Sequence, residues 1–540
     1  MATTVVLRRG RVYTMGQPAV VSALAIRNGH IVAAGTDGDV WSAVGSDSPT
    51  VDLGGRVVLP GFTDAHVHWA GYALMRRRLS LEPTQGLVDV QRAVRQWAQG
   101  LPAGAWLIGR GWDHSRWGRW PTAADLDAVV ADRPVMLTRK DGHVAWLNSA
   151  ALLASGIDAA TPEPAGGSIV REAGVATGIL KETALQLVQR VVPEPDAVER
   201  QAAMIDAWPD AWCRGLTSVH DMGFGDSALF RDLATLRDAG ELGLRFVWYI
   251  PQAGLEEAIG LGLRTGLGDD WLRVGGLKLF LDGTLGSQTA AMLAPYEGSG
   301  DNLGLELLSD EAFVAVLADA ARHGLTTAVH AIGDGANRRA LDGFAAVPPG
   351  RAGNGRPQRR RIEHCQLVDP ADVPRFAELN VVASVQPVHM VADMEVAERY
   401  WGSRCASAYA WRTLLDHGAT MAFGSDAPVE RLDVFAGLHA AVTRTGLGRQ
   451  PKGGWYPEQR LTTLEALRAY TLGPALAAGT DETLGTLMPG RHADLILLDR
   501  DPLADNPPEL LSTRVLATMI EGVWVWQAPG IDVAGPRHVG

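Results

Sequence analysis

Hydrophobic and polar positions change rhythm twice along this chain. The opening segments VVLRRGRVYTM and SALAIRNGHIVAAG alternate apolar and polar residues around Arg-Gly and Asn-Gly dipeptides, as antiparallel hairpins with one wet face do. The same texture returns near the far end in HADLILLDRD and VLATMIEGVWVW. Two β-rich ends around a different middle predict one small, sandwich-like β domain assembled from residues 1–57 and 482–540. The middle repeats another theme: a short run apolar on both faces, a Gly- or Asp-rich loop, then a helix rich in Ala, Leu and Arg. Candidate strands are 56–64, 215–221, 244–250, 273–281, 325–330, 361–366, 381–386 and 420–426. Strands without a polar face that alternate with helices belong in a parallel sheet. Eight of them predict an α/β fold, a (β/α)₈ TIM barrel over residues 58–481. An open doubly wound sheet has the same local texture, but no G-x-G-x-x-G accompanies these strands.

One interval, 82–212, is far too long for a crossover helix and predicts an inserted lobe after the first strand, a candidate lid on the barrel mouth. It contains GAWLIGRGWDHSRWGRWPT, with Trp106, Trp112, Trp117 and Trp120 close together. The stretch VPPGRAGNGRPQRRR ahead of the sixth strand reads as a solvated loop.

Composition narrows the class of partner. At 46% hydrophobic and 20% charged the chain suits a folded protein, and a formal net charge of -12 argues against nucleic acid or an anionic membrane. No run approaches a membrane span, and MATTVVLRRGRVYTM lacks the apolar core of a signal peptide, so export is not expected. Cys213, Cys365 and Cys405 are odd in number and form no C-x-x-C. Neither a disulfide framework nor a thiolate zinc site is expected, and a cytoplasmic location with reduced thiols is.

Residues that do chemistry on a barrel sit at the C-terminal ends of its strands. The first candidate strand ends in Asp64, His66 and His68, spaced by two, so that all three project from one face and two imidazoles can converge on one ion. His330 ends the fifth strand, His364 the sixth and Asp426 the eighth. Any one of these alone reads as a hydrogen-bonded or capping residue; four strands delivering such groups to one rim read as a metal site. In RVGGLKLFLDG, Lys278 interrupts an apolar strand and shares a face with Phe280 and Asp282. Burying an ammonium is costly, and Lys140, Lys181, Lys278 and Lys452 are the only lysines among 49 basic residues. A buried amine loses its proton readily and can take up carbon dioxide as a carbamate; the alternative is an ion pair with Asp282 or another carboxylate.

Together these residues resemble the amidohydrolase superfamily. PGFTDAHVH, Lys278, His330, His364 and Asp426 follow its ligand pattern in order. RGWD, LTRKDGHVAWLNSAAL, TGILKE, LKLFLDGTLGSQTA, HAIGDGAN, RIEHCQ, SVQPVH and GSDAPVE are similar to its YtcJ-like branch, which includes N-substituted formamide deformylase. The resemblance implies a metal-dependent hydrolase that cleaves a non-peptide C–N bond (amide, formamide or cyclic amide) of a small molecule. By the same resemblance His66 and His68 would hold one metal, His330 and His364 a second, carbamylated Lys278 would bridge them, and Asp426 would complete the site and move the proton. Two Zn²⁺ are expected, with Mn²⁺, Fe²⁺ or Ni²⁺ as alternatives, and Asp64 orients a ligating histidine. Glu182 is an alternative bridge. Trp69, Trp112, Asp113, His143, Glu182, His220, Asp282, Gln386 and His389 are candidate substrate contacts, for an amide bearing an apolar or aromatic group. A homo-oligomer such as a dimer stays open. The rival readings are a mononuclear deaminase of an amino-substituted heterocycle, for which HAIGDGAN offers Asp334 and no Glu, and a non-catalytic metal-binding scaffold.

Overall fold

Eight strands that are almost entirely buried form one parallel sheet: β1 (Phe62–Val67), β2 (Leu216–Asp221), β3 (Arg245–Pro251), β4 (Leu272–Phe280), β5 (Thr327–Ala331), β6 (Arg361–His364), β7 (Val382–Val385) and β8 (Thr420–Phe423). The computed structural model describes residues 4–115, 117–140, 142–164, 166–223, 228–350, 358–504 and 507–533. Each strand pairs with the next in sequence order. Closure comes just past the strand ends, where Val67 and Ala427 form a parallel bridge. There the Asp426 N–H donates to the His66 carbonyl at 2.7 Å and the His68 N–H to the Ala427 carbonyl at 2.8 Å. The continuous apolar runs of the sequence are thus the strands of a (β/α)₈ barrel, buried on both faces as parallel strands are.

Both ends of the chain build an additional β domain. A six-stranded sheet runs Val523–Gln527, Val515–Ile520, Leu495–Leu498, Val57–Pro60, Arg11–Tyr13 and Val20–Val21, and a four-stranded sheet runs His30–Gly35, Ala23–Arg27, Thr4–Arg8 and Thr50–Asp52. One apolar cluster joins them, with Leu7, Leu24 and Ile26 of the smaller sheet against Val58, Leu495 and Met519 of the larger. The first candidate strand, 56–64, proves to be two. Val57–Pro60 pairs antiparallel with Leu495–Leu498, whereas Phe62–Val67 pairs parallel with β2. The chain crosses from sheet to sheet at Gly61, where a Cβ would lie 2.3 Å from the Thr217 side chain.

By its internal contacts the chain forms two compact units, Met1–Gly71 with Ile205–Gly540, and Tyr72–Met204. The second has a six-stranded mixed sheet in the order Gly167–Glu172, Val175–Glu182, Val144–Leu147, Val135–Arg139, Leu107–Trp112 and Leu79–Ser80. Its apolar core includes Trp112, Trp146, Leu126 and Leu137. Of the stretch expected to be a solvated loop, 351–357 lies outside the described residues. Its end departs from that expectation: Arg360 is 6% and Arg361 0% exposed, because Arg360 donates to the Phe344 and Val347 carbonyls at the end of the helix Asp334–Ala346 and Arg361 to acceptors on the barrel strands.

Candidate metal centre

β1 presents Asp64, His66 and His68 in alternation, and the structure separates their tasks. Asp64 Oδ1 accepts the backbone N–H of His66 and that of Ser425, both at 3.0 Å, and so ties β1 to the segment after β8; burial raises its pKa to about 6. His66 and His68 point their Nε2 atoms at Asp426 Oδ1, at 3.4 and 3.2 Å. The other oxygen, Asp426 Oδ2, lies 3.5 Å from His389 Nε2. Burial alone would raise the Asp426 pKa, but His66, His68 and His389 outweigh it and hold the carboxyl well below its ordinary range. Asp426 sits at φ 59° and His364 at φ 78°. These left-handed conformations are strained for residues with a Cβ, and such strain clusters at working sites.

Three imidazoles have one ring nitrogen held by an oxygen that can only accept. His66 Nδ1–H donates to Glu363 Oε2 at 2.6 Å, His364 Nδ1–H to Gln386 Oε1 at 2.7 Å, and His330 Nε2–H to the Gly283 carbonyl at 3.0 Å. In each ring the second nitrogen keeps its lone pair, as metal-ligating histidines require. Burial, followed by the charge of Lys278, depresses His330 to about 3; burial, partly offset by Asp426, takes His66 to about 4, and His364 also falls well below its ordinary value. The rings are therefore neutral near pH 7, the form that binds a cation. Their centroids are close, 4.5 Å between His330 and His364 and 4.9 Å between His66 and His364. Among the described residues two sets of donor atoms lie within 4.8 Å of one another: His66, His68 and Asp426, and His364, His389 and Asp426. His330 adjoins these sets without belonging to either.

Lys278 is 1% exposed. Its Nζ has no hydrogen-bond partner among the described residues and lies 4.9 Å from the centre of the Phe280 ring. The ion pair with Asp282 held open by the sequence does not form. Burial lowers the amine to about 8, with Glu363 and Asp426 pulling the other way. Asp282 is spent differently: its carboxylate accepts the backbone N–H groups of Ala291, Ile332 and Gly333 at 3.0, 3.1 and 2.9 Å, and lies 3.5 Å from His330 Nε2.

Beneath His66 lies a network that sequence reasoning missed. Arg361 donates to Glu363 Oε1 at 2.5 Å, to the Ala65 carbonyl at 2.6 Å, to Ser384 Oγ at 2.5 Å and to His220 Nδ1 at 2.9 Å. Burial pushes Glu363 up, but Arg361 and then His66 outweigh it, so the carboxylate stays ionised. The signal was present as R-I-E: two charges spaced by two on an apolar strand share a face, here the barrel interior.

Several expected substrate contacts have partners of their own. Trp69 is 0% exposed and stacks on Trp208 at 5.2 Å, since it opens the helix Trp69–Arg76 on its packed side. His220 is an acceptor for Arg361 inside the barrel, and Gln386 orients His364. Trp112 is a core residue of the second unit and donates its indole N–H to the Leu137 carbonyl. In the same unit Asp113 pairs with Lys140 and Arg139, and His143 Nδ1 with Glu182 Oε2 at 2.9 Å. His389 does line a cavity of about 510 Å³ over the strand ends, together with His66, His68, Lys278, His330, His364 and Asp426.

A parallel eight-stranded barrel carrying clustered imidazoles and a carboxylate at the C-terminal rim is the architecture of a metal-dependent hydrolase. The chain belongs to the amidohydrolase family, whose model (Amidohydro_3) matches residues 49–526, and it is a YtcJ-like member of that superfamily. It is 31% identical to the putative amidohydrolase YtcJ of Bacillus subtilis over 96% of this chain and 98% of that protein. With the N-substituted formamide deformylase of Arthrobacter pascens it shares 28% identity over 94% and 95% of the two chains. Among solved structures, an uncharacterized metal-dependent hydrolase from Pyrococcus horikoshii OT3 matches with a TM-score of 0.79 and 30% identity, over 93% of this chain and 99% of that one.

Proposed function

We propose that the protein hydrolyses a non-peptide C–N bond (amide, formamide or cyclic amide) in a small molecule bearing an apolar or aromatic group. One observation carries the reading: Asp426, buried and ionised, directs one carboxylate oxygen toward His66 and His68 at the end of β1 and the other into the cavity beside His389. Neutral imidazoles with a pinned second nitrogen, beside a carboxylate and an unpartnered amine, suit Zn²⁺, with Mn²⁺, Fe²⁺ or Ni²⁺ as alternatives. His66 and His68 would hold one ion, and His330 and His364 a second. The neutral Lys278 amine would gain an N–C bond to carbon dioxide and lose a proton, and as a carbamate would supply an anionic oxygen ligand. When bound, the metal polarises the scissile carbonyl and acidifies water enough for attack at neutral pH. Asp426 takes the proton of that water and returns it to the departing nitrogen, which leaves as a neutral amine. Glu363 and Gln386 keep His66 and His364 in the binding tautomer, and Phe280, Leu285 and Ile332 keep water from crowding the bond.

Asp334 argues against the deaminase alternative, because its Oδ1 is engaged by the Leu293 N–H at 2.8 Å. The test is a panel of N-formyl and N-acyl amines, hydantoins and lactams offered to protein reconstituted with Zn²⁺. Metal-dependent release of amine or ring-opened acid is expected, falling about 10²- to 10⁴-fold in Asp426→Asn. Ammonia released from amino heterocycles, with no member of the panel cleaved, would overturn the reading.

A further inference from the structure

The cavity continues outward beyond the histidines, and its outer wall is acidic. His389 and Asp393 are four residues apart on the helix Pro387–Trp401, so they share a face with Asp393 about one turn, ~5 Å, farther along. Glu430 follows Asp426 by the same interval after β8. Both pairs run from buried to half-buried: His389 is 8% and Asp426 6% exposed, while Asp393 and Glu430 are intermediate. All four line the one cavity.

Neither outer carboxylate has a basic partner among the described residues. Asp393 Oδ2 accepts the Tyr409 hydroxyl at 2.5 Å, which leaves Oδ1 unused. Glu430 forms neither a hydrogen bond nor an ion pair; Arg431 and His389 act on it only from a distance, and burial raises the pKa of both acids. Half-buried anions without a counter-charge in contact are costly, and these two face one cavity. His389 Nε2, between these acids and the metal centre, is buried and lies 3.5 Å from Asp426 Oδ2 without a hydrogen-bond partner among the described residues. Phe280, Leu285, Ile332 and Val429 give the space between an apolar lining.

We infer that Asp393 and Glu430 form a subsite for an organic cation, a protonated amine or guanidinium, carried by the substrate at the end opposite its scissile bond. This rests on the hydrolase reading above and gives its substrate class: an apolar body with an amide-type group at one end and a positive charge at the other.

The test compares two probes, monoformylated 1,5-diaminopentane and N-formylhexylamine, which differ in an ammonium against a methyl terminus. The cationic probe is expected to show a kcat/KM about 10- to 100-fold higher, and Glu430→Gln and Asp393→Asn each to lower that ratio about tenfold. Equal turnover of both probes by the unaltered protein would overturn the subsite while leaving the hydrolase reading intact, as would a ratio unmoved in both variants. Calorimetric binding of pentylammonium against 1-pentanol reads the subsite without catalysis. Tighter ammonium binding that Glu430→Gln abolishes supports the subsite even if neither formamide is cleaved, and equal binding of the two probes counts against it.

Discussion

Glu363 never reaches the cavity, yet it decides what His66 can do there. Its carboxylate accepts the Nδ1–H of His66 and is itself gripped by Arg361, all three side chains being 0–1% exposed. Glu363→Gln keeps the shape but leaves the Arg361 guanidinium buried without its anion. A stability loss of about 3–5 kcal/mol is expected, seen as a lower denaturant midpoint. Metal affinity should weaken about 10- to 100-fold, measured by competition with a chelator at a temperature where the variant is folded. Unchanged affinity would show that His66 needs no carboxylate behind it. At this scale sequence reasoning found groups that announce themselves, such as H-x-H and a lysine in an apolar strand. It missed Glu363 because a Glu beside a His on a short strand looks like any polar strand end until Arg361 is seen to fold inward. It placed Trp69 in the site because adjacency to His68 says nothing of which way the helix that begins there turns.

Among the elements, the strands were legible because burial on both faces leaves an unbroken apolar run. The same property hid the join between the β domain and β1: VVLPGF runs on without a polar residue, and the one local mark of the crossing is the Pro60-Gly61 dipeptide. Gly61 is that point, and the reason is long-range, since Thr217 of β2 occupies the space a side chain would need. Gly61→Ala should therefore cost about 1–3 kcal/mol by overpacking, read as a fall in Tm. Combining it with Thr217→Ala should recover part of that loss, a coupling expected only between residues in contact. Strictly additive losses would mean that the glycine serves some other purpose.

For the whole molecule, the pattern of alternating and continuous apolar runs was enough to indicate a barrel, a β domain built from both ends and a long interruption after the first strand. The internal sheet of the Tyr72–Met204 unit was not legible, because its strands are short, mixed in direction and separated by turns. Binding of an ion to the folded chain alone stabilises it by mass action, about 2.7 kcal/mol at a hundredfold excess over Kd. Chelation should then lower the unfolding temperature and speed hydrogen exchange at the ends of β1, β5 and β6 and across residues 425–428, where ligands and barrel closure coincide. Amides of Val135–Arg139, in the core of the second unit, should keep their protection. Uniform deprotection of both units would show that the metal acts on something other than the barrel rim.

The most direct measurement is X-ray diffraction at the zinc edge from crystals of the Zn²⁺-loaded protein. Anomalous peaks are expected about 2.0–2.2 Å from His66, His68 and Asp426, and beside His330 and His364 next to density extending from Lys278. A peak bound elsewhere, or none at the end of β1 in protein that analysis shows to be loaded, would contradict the account.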